Sequence, residues 1–107
     1  MKLNKKHQVK INKPGERSLF EALSVLKTPA EAEHFFKDLC TPTEIQAMVD
    51  RWQVVNLVKL GKSYREINVE TNISVTTIGR VARAVMLGEG GYNLIYNRLQ
   101  KLRKSEK

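Results

Sequence analysis

An all-α fold is predicted by three features of this 107-residue chain. Apolar residues recur at three- and four-residue steps, helix-start signals repeat along the chain, and no stretch alternates apolar with polar residues as a half-buried strand does. Six helices with short connections account for most of the sequence. Helix one begins at Glu16 and runs to about Lys27, with Leu19, Phe20, Leu23 and Leu26 on one face and Val25 beside them. Residues 1–14 lack that periodicity, and Pro14-Gly15 marks their end. Residues 1–15 therefore read as a basic flexible arm and 16–107 as a single domain.

The next three helices declare their starts through one shared pattern. Thr28-Pro29-Ala30-Glu31, Thr41-Pro42-Thr43-Glu44 and Ser63-Tyr64-Arg65-Glu66 each place a hydroxyl at the cap and a glutamate three residues later. The hydroxyl accepts an orphan backbone N–H, and the glutamate reaches back to the N–H of the cap. In the first two, proline takes the first helical position, where its missing N–H costs nothing. Helix two (Pro29 to about Leu39) is expected to bury Phe35, Phe36 and Leu39. Helix three (Pro42–Leu60) carries Ile45, Met48, Trp52 and Val55 along one stripe, widened by Val54, Leu57 and Val58, and Gly61 stops it in a left-handed conformation. After a fifth helix, Gly88-Glu89-Gly90-Gly91 forms a flexible joint. Leu94, Ile95, Leu99 and Leu102 then mark a sixth helix with a basic far end.

Size and composition limit what such a chain can do alone. With 41% apolar residues in 107, a single-chain core is marginal. Helices one, two, three and six carry more large apolar side chains than a monomer of this length covers, which points to a homodimer. Lys, Asp, Glu or Asn interrupts every apolar run well before the ~18 residues of a membrane span. The basic first residues lead into no apolar segment of signal-peptide length, so the cytoplasm is the expected compartment. Cys40 has no cysteine partner, and with His7 and His34 it forms no ligand spacing, so neither a metal nor another cofactor is expected.

The net charge of +8 is concentrated at the ends. Residues 1–17 hold six Lys/Arg against Glu16, residues 98–107 hold five against Glu106, and 18–97 sum to −1. Solvated tails would explain this, as would segments that gain affinity by releasing counterions from a polyanion. Charge by itself does not choose between them.

Residues 63–85 do more. Their sequence, SYREINVETNISVTTIGRVARAV, fits a helix-turn-helix, a short capped helix followed by a tight turn and a second helix. Ile67 faces inward from the first helix, Ile73 plugs the turn, and Ile78 and Val81 face back from the second. Asn72 falls where the turn needs a positive φ. Two residues depart from the usual pattern: Asn68 stands where a small apolar residue is common, and Thr71 where leucine is. The alternative on pattern alone is an ordinary pair of packed helices.

The outward residues favour double-stranded DNA. Ser74, Thr76 and Thr77 offer hydroxyls and N–H groups at the start of the second helix. Arg80 and Arg83 follow, with no acid between Val75 and Leu87, and Lys62 and Arg65 flank the start of the preceding helix at what would be the groove edge.

From Cys40 to about Leu87 the chain resembles the Trp repressor family, and within it the Trp-repressor-related YerC/YecD group. The residues that carry the resemblance are Thr41-Pro42-x-Glu44, Arg51, Gly61, Ser63-x-Arg65-Glu66 and Thr77-Ile78-x-Arg80. It implies a six-helix Trp-repressor-like fold in an intertwined homodimer whose two reading heads meet successive major grooves. It also implies Arg65 on a guanine edge, Val75 and Thr76 near bases, and Thr77 on phosphate; Gly79 stands where tryptophan-responsive members carry a further hydroxyl. An effector pocket would involve Thr41, Arg51, Arg80, Val81 and Ala84. Thr41, Arg51 and Arg80 match the family, but Val81 replaces the glycine that leaves space for the ligand ring, and Ala84 replaces a serine that holds its ammonium group. Those two changes argue against L-tryptophan as effector. A plain salt bridge, with Asp50 for instance, is the other reading of Arg51.

The expected function is a sequence-specific DNA-binding transcriptional regulator, a repressor acting as a homodimer. The alternative is an accessory or architectural nucleic-acid-binding protein without a defined operator. His34 and Cys40 assemble no nucleophile, base and acid set, and no phosphate loop is visible, so an enzyme is not expected.

Overall fold

The structure, a computed structural model, describes residues 9–105; the first eight residues of the expected arm and the last two of the chain lie outside it. Among the described residues there are six helices and no strand: α1 (Lys13–Ser24), α2 (Pro29–Leu39), α3 (Pro42–Lys59), α4 (Tyr64–Thr71), α5 (Val75–Leu87) and α6 (Gly91–Ser105).

Helix α1 starts three residues before the expected Glu16. Asn12 caps it, its Oδ1 accepting the Gly15 N–H at 3.2 Å, so Pro14-Gly15 lies inside the first turn and does not close the arm. Gly15 is suited to this because a Cβ there would meet Asn12 Nδ2 at 2.7 Å. The helix ends at Ser24, earlier than about Lys27, and the N–H groups of Val25 and Leu26 turn back to Ala22 and Leu23. At α2 the Thr28 hydroxyl accepts the Glu31 N–H at 3.1 Å, but the Glu31 carboxylate takes the N–H of Lys27 at 2.9 Å, one residue beyond the cap. The other two starts form complete reciprocal boxes, Thr41 with Glu44 and Ser63 with Glu66.

Where the sequence suggests one domain over 16–107, contacts within the chain group it into two units, Met1–Leu39 and Cys40–Lys107. In the first, no residue of α1 or α2 is buried. Leu19, Leu23 and Leu26 are half-buried, as are Phe35 and Phe36, whose rings meet edge to face at 6.1 Å, while Phe20, Val25 and Leu39 are exposed. The buried faces expected of helices one and two are thus incomplete in one chain. Two short helices supply too little apolar surface to enclose each other.

The second unit holds the core, formed by Val54, Val55, Leu57, Ile67, Ile73, Ile78 and Val81. Helix α5 is its centre, packing on α3, α4 and α6. Its inward face repeats at helical spacing (Ile78, Val81, Ala82), whereas α3 contributes Val54, Val55 and Leu57 from its C-terminal half. Trp52 of α3 reaches Tyr92 of α6, ring centroids 6.3 Å apart. Gly61 adopts φ 83° after α3, as a left-handed stop requires. The Gly88–Gly91 joint is pinned at two points. The Gly88 N–H bonds Ala84 O at 2.9 Å so closely that a Cβ at Gly88 would sit 2.5 Å from that oxygen, and Asn93 Nδ2 donates to Val85 O at 2.9 Å. Lys59 donates to Asn93 Oδ1 and lies over the Tyr96 ring at 5.4 Å, which ties α3 to the same corner. Leu94, Ile95 and Leu102 of α6 nonetheless remain exposed.

Candidate nucleic-acid interface

Helices α4 and α5 form the two arms expected over 63–85, and the inward positions behave as the pattern requires. Ile67 and Ile78 are fully buried, Val81 nearly so, and Ile73 closes the turn at 7% exposure. Asn72 takes φ 63° and ψ 14°, and its N–H bonds Asn68 O at 2.8 Å. The two departures from the usual pattern prove to hold this turn. Asn68 Nδ2 donates to Ile73 O at 2.8 Å, while Thr71 Oγ1 donates to Ile67 O at 2.7 Å and accepts the Ile73 N–H at 3.1 Å. Polar side chains here replace apolar crossing contacts with bonds to the backbone, two of them to the N–H and carbonyl of Ile73 in the turn. Asn68→Ala, which strands the part-buried Ile73 carbonyl, should lower unfolding free energy by about 1–2 kcal/mol in a urea titration.

The start of α4 is held electrostatically as well as by geometry. Glu66 accepts the Ser63 N–H at 2.8 Å and returns its own N–H to Ser63 Oγ at 3.1 Å. The Ser63 backbone bond first, then the Ser63 side-chain bond and the Lys62 charge, hold its carboxyl below the usual glutamate range. A depressed carboxylate contributes stability above its unfolded pKa, and that contribution disappears as pH falls through the lower folded value. Melting curves of the wild type should therefore lose stability below about pH 4. Glu66→Gln should show a shallower loss over the same range.

Of the predicted DNA-facing residues, Arg65, Ser74, Val75, Thr76, Arg80 and Arg83 are exposed, and Lys62 and Thr77 are half-buried. Ser74 caps α5, its Oγ accepting the Thr77 N–H at 3.2 Å and donating to Thr77 Oγ1 at 3.0 Å. Those two hydroxyls are therefore engaged with each other. The N–H groups of Val75 and Thr76 have no partner among the described residues, and both residues are exposed. Arg80 and Arg83 follow one and two turns along, exposed, and Arg65 is exposed on α4. None of the three makes an ion pair among the described residues. Lys62 differs: it is half-buried and bonds Glu70 at 3.1 Å. Sequence reasoning did not single out Glu70, which the spacing of eight residues between it and Lys62 conceals.

The residues suggested for an effector pocket are placed less compactly. The Thr41 hydroxyl is occupied as the cap of α3, accepting the Glu44 N–H at 3.1 Å. Val81 is 1% exposed and packs inside the α3–α4–α5 core, whereas Arg51 and Arg80 are exposed and Ala84 is half-buried. A shallow depression lined by Arg80, Arg83, Ala84, Leu87 and Gly88 includes two of the five and excludes Thr41, Arg51 and Val81. Asp50 accepts from Gln46 at 2.9 Å, and Arg51 forms no salt bridge with it. Elsewhere, His34 is exposed and Cys40 half-buried, and among the described residues no three His, Cys, Asp or Glu side chains form a metal-binding group. No described helix is long and apolar enough to cross a membrane.

The sequence profile of the Trp repressor protein matches residues 16–100, a span that includes both arms and the turn. The chain belongs to the Trp repressor family. It is 36% identical over 83 residues to the uncharacterized protein YerC of Bacillus subtilis (strain 168), an alignment covering 78% of this chain and 80% of YerC. Among solved structures it is similar to a candidate Trp repressor from Staphylococcus aureus, with a TM-score of 0.76, 34% identity, and 94% and 95% of the two chains covered. It is also similar to a TrpR-like protein from Eubacterium eligens ATCC 27750, with a TM-score of 0.75, 33% identity, and 91% and 95% covered. The Trp repressor family comprises DNA-binding regulators and not enzymes.

Proposed function

We propose that this Trp repressor family chain is a sequence-specific transcriptional regulator, a cytoplasmic repressor that binds operator DNA as a homodimer and reads the major groove with α5. The observation that carries this reading is the outer face of α5. Among the described residues, the backbone N–H groups of Val75 and Thr76 that open the helix have no partner, and its exposed cations, Arg80 and Arg83, pair with no acid. Such a surface suits phosphates and base edges, with Arg65 beside it on α4. The engaged Ser74 and Thr77 hydroxyls serve mainly to fix the helix start. Thr77 can still accept or donate one further bond.

Binding-site selection on purified protein, followed by footprinting, tests the proposal. Two protected half-sites about one helical turn apart support it. Uniform binding to any duplex with a steep salt slope would instead identify an accessory or architectural binder. Within the selected site, Arg65→Ala should cost about 1–3 kcal/mol and relax base preference, as loss of a bidentate guanine contact does. Lys62→Ala should weaken binding to all sequences alike, because the Glu70 pair, with both side chains more than a third accessible to water, is weak enough to yield to phosphate. Equal losses on specific and random DNA for both variants would reduce Arg65 to a phosphate contact.

A further inference from the structure

The residue that precedes Arg65 at the start of α4 has an unused group. Tyr64, the first residue of α4, is 47% exposed, and its hydroxyl has no partner among the described residues. Its ring does not point away from the reading helix. A Cβ built on Gly79 of α5 would lie 3.8 Å from Tyr64 Cε2, so the ring edge rests over the one α5 residue without a side chain. Gly79 belongs to the outer stripe of α5, since Thr76, Arg80 and Arg83 are exposed while Ile78, Val81 and Ala82 are buried. Cε2 is bonded to the carbon that carries the hydroxyl, which places that hydroxyl close to the Gly79 position of the same stripe.

Gly79 thus leaves a gap in the DNA-facing row, and a phenol from the neighbouring helix fills it. We infer that Tyr64 is a DNA-contacting residue, whose hydroxyl donates a hydrogen bond to a backbone phosphate flanking the α5 contacts. The inference rests on the proposed DNA-binding role of α5. Tyrosine is suited to the task because its ring is fixed by packing on Gly79 and needs little ordering on binding, and a phenol O–H is a good donor to an anionic oxygen. Being neutral, it adds a contact without releasing a counterion.

Tyr64→Phe removes the hydroxyl and keeps the ring, so the fold should melt at the wild-type temperature. Its affinity should fall by about five- to tenfold on the selected operator and on random duplex alike. The slope of log affinity against log salt should be unchanged, whereas Arg80→Ala should make it shallower. Gly79→Ser in the Tyr64→Phe background should recover part of the loss, because a Cβ is accommodated there at ordinary contact distance and the hydroxyl returns to the same stripe. Wild-type affinity in Tyr64→Phe, with Arg65→Ala impaired, would overturn the inference and leave the DNA-binding role standing. A loss confined to one base step would also overturn it, by making the contact a base contact. Failure of the wild type to bind DNA at all would remove both.

Discussion

Sedimentation equilibrium should find this chain as a dimer at every concentration at which it is folded, and dilution should yield unfolded chain instead of a folded monomer. The reason lies in where burial is missing. Among the described residues, all eight buried hydrophobic ones belong to the Cys40–Lys107 unit, and α1, α2 and α6 contain none. Phe20, Leu39, Val49, Leu94, Ile95 and Leu102 are each between 45% and 59% exposed, a density of half-covered large side chains that scattered surface residues do not explain. Covering one such side chain contributes on the order of 1 kcal/mol. Six on each protomer give roughly 12 kcal/mol, comparable to the cost of association, so the half-buried Leu19, Leu23, Phe35 and Phe36 must also contribute if the dimer is to be stable. Paired substitutions make this checkable. Leu94→Glu with Ile95→Glu should leave the α3–α4–α5 core sequence untouched yet lower the concentration-dependent melting temperature sharply. A folded monomer at micromolar concentration would rule out an obligate dimer.

What the sequence made legible follows from which interactions are local. Capping boxes at Thr41 and Ser63, the positive φ of Asn72 and the stop at Gly61 each depend on residues within a few positions, and all were readable. The inward residues of the helix-turn-helix were readable too, because two packed helices bury the same faces whatever surrounds them. The start of α1 was not, since Asn12 lies in a stretch without apolar periodicity and its role shows only when its side chain meets Gly15. Asn68 and Thr71 looked like misfits because an apolar template cannot anticipate side chains that bond the turn's own backbone. The Tyr64–Gly79 contact was hidden for another reason: it joins two helices through an absent side chain, and a missing side chain has no hydropathy. The faces of α1, α2 and α6 were legible as apolar, but periodicity does not say whether the covering surface belongs to the same chain or another.

Val81→Gly should damage the packing of α5 severely, lowering unfolding free energy by about 3 kcal/mol. Val81 is 1% exposed among Val54, Val55, Leu57, Ile67, Ile73 and Ile78, so its removal forfeits roughly 1.5–3 kcal/mol of burial, and glycine in the middle of a helix adds about 1 kcal/mol. The functional consequence reaches further. By the resemblance in sequence Val81 would stand where the family leaves space for a ligand, and in this chain it joins α5 to the α3–α4 core through its own side chain. A built-in side chain that supplies this packing leaves a ligand little differential contact with which to shift the helix. The wild type should accordingly bind its operator at nanomolar concentration without L-tryptophan, and calorimetry should find no tryptophan binding tighter than about 100 μM. Ala84 points the same way, since it offers no hydroxyl to an ammonium group, while the Thr41 hydroxyl already uses one of its two lone pairs on the Glu44 N–H. Val81→Gly, examined below its lowered melting temperature, should then lose operator affinity together with rigidity of α5. Tighter tryptophan binding by the wild type, with a matching gain in operator affinity, would show that the pocket survives in altered form. A folded Val81→Gly protein that bound operator as well as the wild type would show that Val81 packs the core but does not set the pose of the reading helix.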